Sequence, residues 1–462
     1  MLIAGAEVAG RAPVDVSIDG GRIAAIGPAL ARRPADDVLE AGGGALLPGL
    51  HDHHIHLFAL AAVARSVACG PPAVADAEAL GAALRRGAPG EWVRGVGYHE
   101  SVAGDLDRWR LDALAGDRPV RVQHRSGMLW ILSSVAIARL GLEHGPTPPG
   151  VERDARGRPT GRLFRLDAWL RARLGGELPS LADVGVRLAE RGVTGVTDAT
   201  ATNDAAALAA LTAAVRAGEL PQRLLVMGAP ELPPSDHPGI ARGAVKLVLD
   251  DRELPALDAL SAAVAVAHAA GRSVAVHCVS RAALVLAAAA LDEAGVRPGD
   301  RVEHASVALP DVVPLLAGLG VAVVTQPGFV RTRGDAYLRD VEPEDRSWLY
   351  RGRGLLQAGI PLAAGSDAPF GDADPWSAMQ AAVDRRTEAG RVLGAAESLT
   401  PEEALALFTT PPETPGAPPR RLAPGAAADL CLLDRPWAAA RRALAGVRIR
   451  ATLVGGTVVW RG

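Results

Sequence analysis

An α/β architecture is predicted by this sequence: an eight-stranded parallel β/α barrel, similar to a TIM barrel, with a small β-sandwich domain built from both ends of the chain. Three observations predict it. Short β-type segments with paired-glycine turns lie at both ends of the 462 residues. Between them, strands of buried character alternate with Ala-, Leu- and Arg-rich helical stretches, the pattern of a parallel sheet. Eight such strands can be counted along the middle of the chain, the number a closed barrel needs.

The elements run as follows. VDVSIDGGRIAAIG (14–27) holds two apolar runs joined at Asp19-Gly20-Gly21, a hairpin signal. ADLCLLDRP and RIRATLVGGTVVW, near the other end, again read as strands, with Gly455-Gly456 as the turn. Residues 1–46 and 424–462 are assigned to one composite β domain, and 47–423 to the barrel. Barrel strands are expected at 45–54, 192–200, 222–228, 243–250, 272–278, 300–306, 320–327 and 360–367. PVRVQH (119–124) is a ninth candidate. It is placed in an insertion lobe, about 57–190, after the first strand, because connections in α/β units are normally short.

Composition narrows the function. Hydrophobic residues make up 49% and charged residues 22%, with a formal net charge of -3. No basic surface for nucleic acid or an anionic membrane is indicated. The first residues lack the basic start of a signal peptide, and no apolar run reaches bilayer length. Cys69, Cys278 and Cys431 are far apart, in neither metal nor disulfide spacing, which points to a reducing cytoplasm. Of 49 basic residues, Lys246 is the one lysine. It sits in the apolar run GAVKLVLD rather than on a solvated face. Arginine stays charged, whereas a buried lysine can lose its proton and react, so a lone buried lysine points to a need for its amine.

Metal-type residues gather at the C-terminal ends of the expected strands, where barrel active sites are built. His54 and His56 follow the first strand, Lys246 lies on the fourth, His277 ends the fifth, His304 lies late in the sixth and Asp367 ends the eighth. Residues two apart on a strand share a face, so His54 and His56 can aim at one ion. Imidazole and carboxylate suit zinc and similar divalent ions. Singly, each has an ordinary explanation: a satisfied polar residue, a turn cap at Asp367, a pairing of Lys246 with Asp250 or Asp251. His99, His144, His237 and His268 are read in that ordinary way. Joint placement at one end of one barrel favours a metal centre. Asp52 and Glu303 neighbour the ligands and could orient them.

These residues resemble the amidohydrolase superfamily, in particular its N-substituted formamide deformylase-like and YtcJ-like branch. GLHDHHIH (49–56) is similar to the family's opening HxH motif; VKLVLD, VAVHC, RVEHAS and AAGSDAPF are similar to its later strand motifs. HRSGMLWILSS (124–134) looks like the branch's HxSGHxxWxNS segment, and DGGRIAAIG and PGAAADLCLLD like the halves of its composite β domain. Departures fall at Met128, near Ser133 and at Asp250-Asp251, outside the ligand set.

The resemblance implies a metal-dependent hydrolase cleaving an amide, N-formyl or cyclic-amide C–N bond of a small molecule. It implies one or two divalent ions, Zn2+ first, with Fe2+ or Mn2+ also compatible. Lys246 would react with carbon dioxide to form a carbamate bridging two ions. His54, His56 and Asp367 would bind one ion, and His277 and His304 the other. Asp367 would take a proton from the attacking water and return it to the leaving nitrogen. Substrate contacts are expected from His124, Trp130, Gln326, Arg331 and Asp372, and the assembly is expected to be a homodimer. A single-metal deaminase on the same fold, or a non-catalytic binding protein, are the alternatives.

Overall fold

The structure is a computed structural model that describes residues 1–32, 37–71, 73–86, 90–144, 146–175 and 178–462. Its centre is one parallel sheet of eight strands. In chain order these are β1 (Leu50–Ile55), β2 (Val193–Asp198), β3 (Arg223–Gly228), β4 (Ile240–Val248), β5 (Val274–Cys278), β6 (Arg301–His304), β7 (Ala322–Thr325) and β8 (Leu362–Ala364). Spatial order follows chain order, each strand pairing with its predecessor. The ring closes just beyond β8. Ile55 and Ala368 form a parallel bridge, Asp367 N donates to His54 O at 2.7 Å and His56 N to Ala368 O at 2.9 Å. Closure is therefore made by the same short segments that carry three of the expected ligands.

All eight expected barrel strands are present, because strands buried on both faces read as apolar runs. The first is shorter than expected. Leu46–Pro48 is a separate strand that pairs with Leu430–Leu433 in the small β domain, and the barrel strand begins only at Leu50. Pro48 cannot donate a ladder hydrogen bond, which makes it a natural break between two sheets.

The small domain packs two four-stranded sheets. One holds Leu2–Val8, Arg11–Asp19, Arg22–Gly27 and Val38–Glu40; the other holds Leu46–Pro48, Leu430–Leu433, Ile449–Val454 and Thr457–Arg461. Ile3, Val16, Ile18 and Ile23 of the first meet Leu46, Leu430, Leu432 and Leu453 of the second in one buried core. Both predicted hairpins form, with Asp19 opposite Arg22 and Val454 opposite Thr457. Each has positive φ at both central glycines, 54° and 74° at Gly20-Gly21, 54° and 78° at Gly455-Gly456, as the tight hairpin turn requires. The two turns touch: a Cβ on Gly456 would lie 2.8 Å from Ile18 Cγ2. Gly456→Ala should therefore lower stability by about 2 kcal/mol through left-handed strain and overpacking. Chemical denaturation checks this, and an unchanged midpoint would show that the turn accepts a side chain.

Phe58–Pro179 forms its own compact unit. It carries a six-stranded sheet in which Val120–His124, the ninth strand candidate, lies between Val93–Tyr98 and Leu129–Leu132. This unit ends at Pro179, eleven residues short of the expected insertion bound at 190. The helix Ala182–Glu190 belongs to the barrel unit, burying Val184, Gly185, Leu188 and Ala189 on one face, the spacing of an amphipathic helix. Among the described residues, no helix is long and apolar enough to cross a membrane.

Candidate metal centre

His54 and His56 project from the end of β1 towards Asp367. Asp367 Oδ1 lies 3.4 Å from His54 Nε2 and 3.1 Å from His56 Nε2. One ligand atom from each of the three lies within 4.8 Å of the others. The opposite nitrogen of each ring is occupied: His54 Nδ1 meets Glu303 Oε2 at 2.5 Å and His56 Nδ1 meets Thr200 Oγ1 at 3.0 Å. An ionised carboxylate only accepts, so His54 carries its proton on Nδ1 and presents a lone pair at Nε2. Burial, with the nearby Lys246 charge, holds this imidazole below its ordinary pKa and neutral, the form a metal ligand needs. Burial opposes ionisation of Asp367, but its contacts, the hydrogen bond from His56 among them, hold its carboxyl below the usual range.

Lys246 reaches in from β4 and is 7% exposed. Its Nζ has no hydrogen-bond partner among the described residues, and Glu303 Oε1 stands 3.9 Å away. Burial, above all, lowers its pKa to about 8. A buried amine that makes no hydrogen bond is costly to keep.

His277, at the end of β5, and His304, at the end of β6, form the other half. His277 Nδ1 and His304 Nε2 are 2.9 Å apart. His304 Nδ1 faces Gln326 Oε1 at 2.6 Å, which puts its proton there and its lone pair towards His277. Burial lowers His277 to about 3 and His304 well below its ordinary value, so both rings are neutral. Two neutral imidazole nitrogens converging on one spot fit a shared cation.

The backbone is strained at this end. His304, Ala305 and Asp367 have φ of 68°, 45° and 54°, left-handed values that cost of order 1–3 kcal/mol each for such residues and persist where surroundings impose them. Asp52 braces the segment that leads into Asp367. Its buried Oδ1 accepts from His54 N at 3.1 Å and Ser366 N at 2.9 Å, tying β1 to the segment before Asp367. Burial raises its pKa to about 6.

The structure thus brings His54, His56, Lys246, His277, His304 and Asp367 to one end of one barrel. The five expected substrate contacts are placed differently. Gln326 is 1% exposed and holds the His304 ring. Arg331 and Asp372 are exposed, and Asp372 Oδ1 caps Asp374 N at 3.1 Å. Within the insertion unit, His124 lies 3.2 Å from the Glu100 carboxylate, and Trp130, 4% exposed, packs in an apolar core and donates to Asp167 at 2.7 Å. Two residues escaped the sequence reading. Arg301 bonds Glu303 at 2.6 Å, and its signal was a charge two positions before Glu303 in a buried strand. Thr200 holds His56 and had no signal beyond lying at a strand end.

With this geometry in place, the likenesses are specific. The sequence profile of the amidohydrolase family matches residues 37–460. The N-substituted formamide deformylase of Arthrobacter pascens is 28% identical over 96% of this chain and 94% of its own. The amidohydrolase YtcJ of Bacillus subtilis is 24% identical over 81% of this chain and 80% of its own. A metal-dependent hydrolase of Pyrococcus horikoshii shares the fold, with a TM-score of 0.75 and 22% identity over 94% of this chain and 98% of that one.

Proposed function

The chain belongs to the amidohydrolase family, as a metal-dependent hydrolase of carbon–nitrogen bonds other than peptide bonds, and we propose that its substrate is a small N-formyl compound, amide or cyclic amide. The observation that carries the reading is the convergence of His54, His56 and Asp367 beside the buried amine of Lys246, which makes no hydrogen bond among the described residues. The likeness to the Arthrobacter deformylase supports trying N-substituted formamides first.

His54 Nε2, His56 Nε2 and Asp367 would hold one divalent ion, and His277 Nδ1 and His304 Nε2 a second. Lys246, whose neutral amine would add carbon dioxide and release one proton to solvent to become an anionic carbamate, would complete the donor set between the two groups of ligands. The nitrogen and carboxylate donors support zinc, with iron and manganese also accommodated. Bound there, such ions supply Lewis-acid chemistry, polarising a carbonyl and lowering the pKa of water. The chain's own part is then proton handling and positioning. Asp367, held as a carboxylate, accepts a proton from the attacking water and returns it to the departing nitrogen. Glu303, Thr200 and Gln326 keep the rings of His54, His56 and His304 turned to the centre. Three unpaired, buried cysteines support a reducing, cytoplasmic setting.

Metal analysis on protein purified without chelators tests this. About two equivalents of divalent metal per chain are expected for a two-ion site, with turnover of N-formyl or N-acyl amides. About one equivalent would support the single-ion deaminase reading and take Lys246 out of the centre. No metal, and none taken up on reconstitution, would overturn the proposal.

A further inference from the structure

We propose that Arg301 is a positioning residue of the metal centre: acting through Glu303, it fixes the tautomer of His54 and leaves the Lys246 amine free. The inference rests on the metal reading above. Arg301 is 2% exposed and lies inside the barrel two residues before Glu303, on the same face of β6. Its Nε donates to Glu303 Oε1 at 2.6 Å and its Nη2 to the carbonyl of His53 at 3.0 Å. One guanidinium therefore grips both the carboxylate and the backbone next to His54. Glu303 is fully buried, and each of its oxygens has a distinct duty: Oε1 accepts from Arg301 and Oε2 from His54 Nδ1 at 2.5 Å. A carboxylate is needed for this, because it accepts on both sides.

Lys246 Nζ, at 3.9 Å, is the other cation facing Oε1. The guanidinium has taken that oxygen at hydrogen-bond distance and the amine has not. Arg301 is permanently charged, so it compensates Glu303 without drawing on Lys246. Were Arg301 absent, Lys246 would be the cation left to pair with Glu303, and its nitrogen would no longer be available to the centre.

Glu303→Gln discriminates, because it preserves shape and changes only the donor pattern. An amide has one accepting and one donating end. With its oxygen towards Arg301, its NH2 faces His54 Nδ1 and is satisfied only by the tautomer whose proton sits on Nε2, the ligand nitrogen; flipped, its NH2 opposes Arg301. Either way the native arrangement, a lone pair at His54 Nε2 with Arg301 satisfied, is lost. The readout is zinc affinity by competition with a chromophoric chelator, together with the visible spectrum of the cobalt-substituted protein. Glu303→Gln and Arg301→Met should each weaken zinc about 10–100-fold, the usual effect of removing a ligand's outer partner, and perturb the cobalt spectrum. Arg301→Lys should recover part of the loss.

The double variant Arg301→Met/Glu303→Gln removes both buried charges together and serves if a single variant does not fold. It should be no weaker than the worse single variant, since both act through one chain of contacts. Wild-type affinity and spectrum in the variants, or losses that simply add, would overturn the inference. A wild-type chain that binds no metal would instead defeat the functional reading itself, so the two failures are distinguishable.

Discussion

Lys246→Ala lowers kcat/KM on an N-formyl or N-acyl amide by on the order of a thousandfold, the scale of losing one strong electrostatic element of a catalytic centre. The fold should survive. Glu303 already has Arg301 as its cation, and the Lys246 amine gives up no hydrogen bond when it leaves. Lys246→Met, which keeps most of the buried stem, separates loss of the amine from loss of packing. Lys246→Arg should be as inactive as the alanine variant, because arginine keeps its proton and cannot take up carbon dioxide. Short carboxylic acids such as propionate should restore part of the activity of Lys246→Ala by occupying the vacated space with a carboxylate. Full activity in Lys246→Ala would remove the bridging role. Inactivity of alanine and methionine variants with normal Tm would support it.

Asp367→Asn should reduce kcat by about 10²–10⁴-fold, the range lost with a proton-transfer group. Asparagine is the informative replacement for a backbone reason. Residue 367 has φ of 54°, and asparagine enters that region with little penalty, whereas a β-branched residue would not. The amide should keep the turn that sets Asp367 N on His54 O at 2.7 Å. Thermal unfolding should therefore be close to wild type while turnover is nearly lost. Retained turnover would exclude Asp367 as the proton carrier, and a collapse of Tm in the asparagine variant would show that its carboxylate is structural first.

Much of the barrel was legible because its strands are buried on both faces and the chemistry-bearing residues interrupt them at one end. Lys246 stands out in GAVKLVLD, His277 follows the apolar VAV, and His304 ends a short strand, RVEH, that carries charge as well. The hairpins were legible from paired glycines that only one turn geometry explains. What escaped depended on distant partners. Gln326 reads in sequence as a polar residue after a strand, and only the fold turns its oxygen onto His304. Trp130 reads as a pocket aromatic until its indole is found bonded to Asp167 within an apolar core. The amphipathic stripe of Ala182–Glu190 says that the helix packs, but not on which body. Arg301 was visible in RVEH, but a buried charge gains meaning only with its partners named.

The pairing of early and late strands also bears on how the polypeptide is made. Glu7 accepts a hydrogen bond from the backbone of Trp437, 430 positions further on, and the sheet containing Leu46 is completed by Leu430–Leu433. During synthesis at about 5–20 residues per second, the first strands thus leave the ribosome roughly 20–90 s before their partners exist. For that interval Ile3, Val16, Ile18 and Ile23 lack Leu430, Leu432 and Leu453 of the opposing layer, and an unfinished apolar sheet is a target for aggregation. Ribosome-stalled or prematurely terminated chains of this protein should therefore depend on chaperones more heavily than the finished enzyme does.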